Sequence, residues 1–418
     1  MNFIANEDKI NVISDETSIN EFIKHVVKTT NISNPFYILD IHNLVNNIKT
    51  WKNNLPRVKP FYAVKCNDNV IALKIFAAFD FGFDCFTEGE IKKVLDLGVN
   101  PSRIIFANPT KILSHVKFAK NKSVNLTVFD NEMELDKMKS TYELCKLLIR
   151  IRSDALTCKS SPFGIKFGCD PVTEAPKLLS LAYNLGLSVV GVSFHVGSGC
   201  NEPEAYRRAI LASANVFSHA KKIGFKNMHI LDIGGGFHGK IDKFAGIINE
   251  ALDELFPPDS GVNIIAEPGR YFVESSFTLT TQIHSIKRGS CNGEIMYFIN
   301  DGIYGSFMDI LIERAKYIPK PLTACSDELV LSSLWGPTAD SIDLLMKSIY
   351  LPRMNIGDYI IFENMGSYCR AIATTFNGFN IPKVYAVVNH QTLKELKNQY
   401  LNYTNITGEL NIFTEPII

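Results

Sequence analysis

Apolar runs of strand length alternate with segments of helical period along most of the chain. Phe61–Lys65 is followed by a helical stretch at 70–79, Gly82–Cys85 by 88–97, Ile104–Ala107 by 112–120, and Leu126–Phe129 by 131–140. Lys146–Ile151 leads through a polar loop at 153–170 to a helix near 172–185. Ser188–His195 precedes a helix near 202–223, Met228–Ile233 one near 242–255, and Asn263–Glu267 closes the series. About eight strand–helix units over roughly 230 residues match the length and repeat of a parallel (β/α)8 barrel. An open doubly wound sheet gives a similar rhythm, so periodicity alone separates the two only slightly. Upstream, Ser18–Lys28 reads as a helix, Asn34–Asp40 as a strand and Asp40–Trp51 as a helix. Beyond Arg270 the pattern changes. Thr278–Ile286, Ile295–Ile299, Leu329–Leu334, Tyr359–Phe362 and Lys383–Val388 are strands separated by turns, the mark of an antiparallel β domain. The expected class is α/β, with a barrel over 36–275 and a β domain over 276–418. Residues 1–35 are expected to pack with the β domain, because chain ends often meet in space.

Composition narrows the function. Lys+Arg and Asp+Glu both number 43, so the formal net charge is zero. That balance argues against a nucleic-acid or membrane-surface protein, which would show a basic excess. Nine cysteines are scattered without paired spacing. They suit reduced thiols in a cytoplasmic setting better than a disulfide framework or a zinc site. Met1–Asp15 has no apolar core of a signal peptide, and no window reaches the roughly 18 apolar residues of a membrane span. A hydrophobic fraction of 46% allows large cores.

The chemistry gathers at the carboxyl ends of the barrel strands, where a parallel barrel places its active site. Lys65, Asp84, Arg150, His195, Gly234 and Glu267 lie at or just past such ends. Lys65 sits in Pro60-Phe61-Tyr62-Ala63-Val64-Lys65-Cys66-Asn67. Burial would lower its pKa, and a neutral amine can attack a carbonyl to form a Schiff base. A lysine that simply reaches solvent fits the same stretch. Gly234-Gly235-Gly236 exposes backbone N–H groups able to cradle a phosphate, or forms a flexible turn. His195 reads as a hydrogen-bonded core histidine or a catalyst, and Glu267 with Arg270 as an internal ion pair or an acceptor for a buried group.

Taken together, these segments resemble the eukaryotic ornithine decarboxylase family of barrel-type pyridoxal-phosphate decarboxylases. The matching stretches are PFYAVKCN at 60–67, GFDC at 82–85, GVSFHVGSGC at 191–200, LDIGGGF at 231–237, AEPGRY at 266–271, NDGIYGSF at 300–307, SLWGPT at 333–338 and FENMG at 362–366. The resemblance implies that Lys65 carries pyridoxal 5'-phosphate, that His195 stacks on its ring, and that Glu267 pairs with the ring nitrogen. It places Asp84 and Arg150 beside the ring. Ser198, Gly234, Gly235, Gly236, Arg270 and Tyr368 should hold the phosphate. It also implies a homodimer with shared active sites. Lys166 and Asp343 match a cross-subunit ion pair, and Gly366 a tight spot at the interface.

Two departures fall at the substrate end. The cysteine that protonates the former Cα in the family is here Ala339, although its neighbour Asp340, which binds the distal amine, is kept. The second distal-amine carboxylate is Glu313 instead of aspartate, one methylene longer and about 1.5 Å further in reach. Three readings follow. The first is a decarboxylase of a basic amino acid with altered substrate choice or with decarboxylation-dependent transamination. The second is an ordinary ornithine decarboxylase in which water, Lys65 or another thiol such as Cys369 replaces the missing acid. The third is a non-catalytic regulator resembling the antizyme inhibitors, with antizyme as a partner and Lys111, Lys117, Lys120 and Lys122 on the matching basic face.

Overall fold

The computed structural model describes residues 3, 5–30, 32–155, 166–289, 293–323 and 326–401. Much of the loop expected at 153–170, three of the nine cysteines and the tail beyond 401 lie outside the described residues.

Eight parallel strands close into a barrel: Val58–Ala63, Gly82–Cys85, Ile104–Phe106, Leu126–Phe129, Lys146–Arg152, Ser188–His195, Ile230–Asp232 and Asn263–Ala266. The last pairs with the first, with Ile264 level with Val58. Closure settles the choice between barrel and open sheet. Phe61, Ile105, Ala107, Val128, Leu148, Val190 and Ile265 fill the interior. Outward-facing residues such as Phe83, Ile149, Val192 and Leu231 pack under the helices in a second, larger core. This two-sided burial explains the near-continuous apolar runs.

Helix starts follow from capping. The Asn69 side chain accepts from the N–H groups of Ile71 and Ala72, opening the helix Val70–Ala78. Ser18 and Glu21 form a reciprocal capping box for Ile19–Thr29.

The second domain is a mixed sheet of nine strands built around Phe277–Arg288. That strand pairs antiparallel with Phe36–Asp40, Ile295–Ile299 and Tyr359–Phe362. Three pairings are parallel and depart from the antiparallel expectation. Two of them arise because residues from before the barrel join the sheet: Ile10–Ile13 and Phe36–Asp40 flank Lys383–Asn389. Phe36–Asp40 therefore runs in the sheet, although the expected boundary at 35/36 gave it to the barrel. The helix Ile19–Thr29 packs Phe22, Ile23 and Val26 against Ile361, Tyr385 and Val387 of this domain. Among the described residues no helix is long and apolar enough to cross a membrane, and no cluster of His, Cys, Asp or Glu could hold a metal.

Candidate active site

Barrel register decides which side chains converge. Neighbours level with one another on parallel strands point to the same face. Asp232 is level with Ile265, an interior residue. Ser193 is level with Asp232, and Arg150 with Ser193. Asp84 is level with Ile105, also interior. Glu267 lies two residues beyond Ile265, on the same face. A polar layer of Asp84, Arg150, Ser193, Asp232 and Glu267 thus caps the apolar barrel interior at its carboxyl end.

Lys65 enters this layer from a short 3-10 turn, Val64–Cys66. The turn is fixed by its surroundings. The Tyr62 hydroxyl donates to Asn67 O at 2.9 Å, Asn67 Nδ2 donates to Gly366 O at 2.8 Å, and Tyr368 N–H donates to Cys66 O at 3.0 Å. Lys65 Nζ pairs with Asp84 Oδ2. Burial disfavours its charge, but the carboxylates of Asp84 and Glu267 more than offset burial and hold the ammonium above its ordinary value. The simple expectation of a pKa lowered by burial is therefore overturned: the lysine side chain is 37% exposed while Asp84 is fully buried against it.

His195 ends its strand. Its Nδ1 accepts from Gly197 N–H at 2.9 Å, which leaves the neutral ring's proton on Nε2. Burial, with Arg150 and Lys65 nearby, pushes the imidazole well below its usual range, so it is neutral. The glycine run lies against it. A Cβ on Gly235 would stand 2.8 Å from His195 Nε2 and 2.7 Å from Glu267 O. Gly234 has φ +64° and would drive a Cβ to 2.1 Å from Phe194 O. The run is therefore a close-packed cradle, which excludes the flexible-turn alternative.

Glu267 is 6% exposed, and its Oε1 has no hydrogen-bond partner. Burial raises its pKa well above the usual carboxylate range, with Asp232 and Asp84 adding to the effect. Asp232 is also buried. Its Oδ1 accepts from Gly234 N–H at 2.9 Å, and its Oδ2 is unpartnered. Burial pushes it up to about 7. Sequence reasoning passed over Asp232. The available signal was an acid between Leu231 and Ile233 in a barrel strand.

Arg270 anchors the far side. It contacts Glu274 at 2.8 Å, Ser367 Oγ at 2.7 Å and, at 3.4 Å, Ser198 Oγ. Its guanidinium carbon lies 5.4 Å from the centre of the Tyr368 ring. It also pairs with Glu313. The structure thus brings Glu313 to the guanidinium expected to hold phosphate. Arg270, Glu274, Glu313, Lys316 and Tyr317 line part of a cavity of about 550 Å³ beside it.

Asp340 is exposed. It accepts from the Tyr304 hydroxyl at 2.6 Å and the Ile342 N–H at 3.0 Å. Ala339 is exposed too, with its N–H donating to Asn377 Oδ1 at 3.2 Å.

The remaining expected residues fall as follows. Asp343 is 1% exposed and accepts from Ile303 N–H, Thr338 N–H and Thr338 Oγ1 of its own chain, so it pins two loops together. Gly366 is tight within the chain, since a Cβ would stand 1.7 Å from Val273 O. Lys111 is fully buried on Glu134, 2.8 Å away, with Lys137 on the other carboxylate oxygen. It cannot belong to a surface patch. Cys369 is buried, contacting Tyr317 Oη and Ser367 O at 3.3 Å, and burial raises its thiol well above the ordinary range.

The comparisons agree with this geometry. Residues 41–274 match the family model described as pyridoxal-dependent decarboxylase, pyridoxal binding domain. The chain is 41% identical over 401 residues to ornithine decarboxylase of Mus musculus, covering 89% of this chain and 85% of that one. It is 41% identical over 385 residues to antizyme inhibitor 2 of Xenopus laevis, covering 87% and 83%. The crystal structure of the Paramecium bursaria Chlorella virus arginine decarboxylase superposes with a TM-score of 0.84 at 38% identity, covering 88% of this chain and all of that one. A lysine on a buried carboxylate, an unpartnered glutamate oxygen and a glycine cradle fit pyridoxal phosphate as cofactor. The chain belongs to the pyridoxal-dependent decarboxylases, in the group of the ornithine decarboxylases.

Proposed function

We propose that the protein decarboxylates a basic, ornithine-like amino acid, with altered substrate choice or with transamination accompanying decarboxylation. Pyridoxal phosphate, when bound, supplies an electron sink for the carbanion left as CO2 departs. Lys65 would hold the cofactor, His195 would lie on its ring face, and Glu267 would accept from its ring nitrogen. Asp84 would keep Lys65 charged and oriented, with Arg150 beside the ring. Ser198, Gly234, Gly235, Gly236, Arg270 and Tyr368 would take the phosphate.

The observation that carries the altered chemistry is Ala339. It stands beside Asp340 and offers no proton to a carbanion. Cys369 does not replace it, because its thiol is buried in contact with Tyr317 and Ser367. A proton delivered elsewhere than Cα would give an aldehyde instead of an amine. Glu313 points the same way: paired to Arg270, it leaves Asp340 as the carboxylate for a distal amine or guanidinium. The exposure of Asp340 and Ala339 on one chain suits a homodimer in which each subunit completes its partner's site.

Product analysis of the purified enzyme with ornithine, lysine and arginine tests this reading. Aldehyde should accompany amine, and Ala339→Cys with Glu313→Asp should raise the amine share. Amine as sole product, unchanged in the double variant, would leave an ordinary ornithine decarboxylase. An antizyme-inhibitor-like role, with antizyme as partner, has the likeness to antizyme inhibitor 2 behind it, but the expected basic face loses Lys111, which is buried on Glu134.

A further inference from the structure

Charge does not balance in the polar layer unless a proton is present. Lys65 is matched by Asp84. Asp232 and Glu267 remain, both facing the barrel interior at its carboxyl end. The charged and titratable groups around them are Asp84 on Gly82–Cys85, Lys65 after Val58–Ala63, Arg150 on Lys146–Arg152 and His195 on Ser188–His195. His195 is neutral, so Arg150 offers one positive charge to two carboxylates. Each carboxylate keeps one buried oxygen without a hydrogen-bond partner, Asp232 Oδ2 and Glu267 Oε1. Two carboxylates in so dry a place do not both ionise; they share a proton. The backbone locks them side by side, since Glu267 N–H donates to Gly234 O at 2.7 Å and Gly234 N–H to Asp232 Oδ1 at 2.9 Å.

We propose that Asp232 is a positioning residue for the cofactor ring: with Glu267 it forms a two-carboxylate unit that keeps one proton, and so one negative charge, in the cofactor-free protein and presents two negative charges once a protonated ring nitrogen takes that proton's place. This rests on the pyridoxal-phosphate reading above. The balance is simple. If the incoming ring nitrogen already carries a proton, the pair releases its own to solvent. If it does not, the pair's O–H bond breaks and an N–H bond forms. Net charge in the layer is the same either way. Asp232 thus acts through Glu267, sharpening the contact that keeps the ring cationic.

The sign of the pH dependence follows. A carboxyl whose folded pKa is raised stabilises the fold below its unfolded value. That contribution is lost as pH rises from 3.8 toward about 7 for Asp232. Melting temperatures of the cofactor-free protein between pH 5 and 8 should therefore fall more steeply with pH in the wild type than in Asp232→Asn. Asp232→Asn should also bind pyridoxal phosphate about tenfold more weakly, the equivalent of one pKa unit. Parallel melting curves, or unchanged affinity, would overturn the proposal. If Asp232→Asn does not fold, the wild type decides alone: its infrared difference spectrum at neutral pH should show a protonated carboxyl band lost on adding pyridoxal phosphate, and no such band would overturn the proposal. Failure of the wild type to bind pyridoxal phosphate would sink the decarboxylase reading and this proposal together, whereas a wild type that binds it with no shared proton sinks only this one.

Discussion

At the barrel rim, Asp84, Asp232 and Glu267 are buried on strands of one chain, and glycines pack so closely that no side chain would fit between them. At the loop around Ala339 and Asp340, the same chain leaves its chemistry on the surface, steadied by Tyr304 and Asn377. The first region is buried and close-packed, so its residue identities are dictated by sterics and charge. The second lies at the surface, where Ala339 and Asp340 are exposed and packing dictates little. A preorganised cofactor end can outlast changes in the groups that choose substrate and deliver protons.

Removing the centre of the rigid end should have the largest effect. Lys65→Ala should abolish the visible absorbance of the bound cofactor and lower decarboxylation on the order of 10⁴-fold or more, the scale for deleting a group that acts as part of a unit. A retained visible band would break the contrast. Next, Gly235→Ala should cost about 1–3 kcal/mol in chemical denaturation, because the new methyl meets Glu267 O and His195 Nε2 at 2.7 and 2.8 Å. Ala339→Ser should leave denaturation unchanged while altering product ratio; equal stability losses at both positions would erase the distinction. Asp340→Asn should raise KM about tenfold or more with little change in the visible band, as expected when a charged partner for the substrate is lost. The mildest test is dilution. As the proposed dimers separate, activity should fall while cofactor absorbance persists, and joint loss of both would mean that the cofactor end also needs the partner.

The barrel was legible because strand and helix periods differ and eight repeats accumulate. The six rim residues followed from strand ends alone. Two strands at opposite edges of the sheet were not seen. Leu344–Pro352 carries exposed Lys347 and Ser348 in its middle, and Ile10–Ile13 is four residues long. Both are edge strands, where one side has no partner and alternation is weak. Lys111 resembled surface because its partner Glu134 comes from the second helix further along, Glu132–Thr141. Asp232 was hidden inside a motif known for its glycines. Lys65 was placed correctly but its charge state was not, since sequence shows burial more readily than the carboxylate waiting on the neighbouring strand.

The way the barrel is attached has a further consequence. Leu39 and Phe277 are cross-strand neighbours, so the whole barrel is an insertion between two hydrogen-bonded strands of the other sheet. Bringing those strands together across an unfolded insertion carries a large loop-closure entropy, whereas a folded barrel presents its two exits already near each other. Assembly should therefore run from the inside out, and amide protection in pulse-labelled refolding should appear at Ile264 and Val58 before it appears at Tyr37 and Leu279.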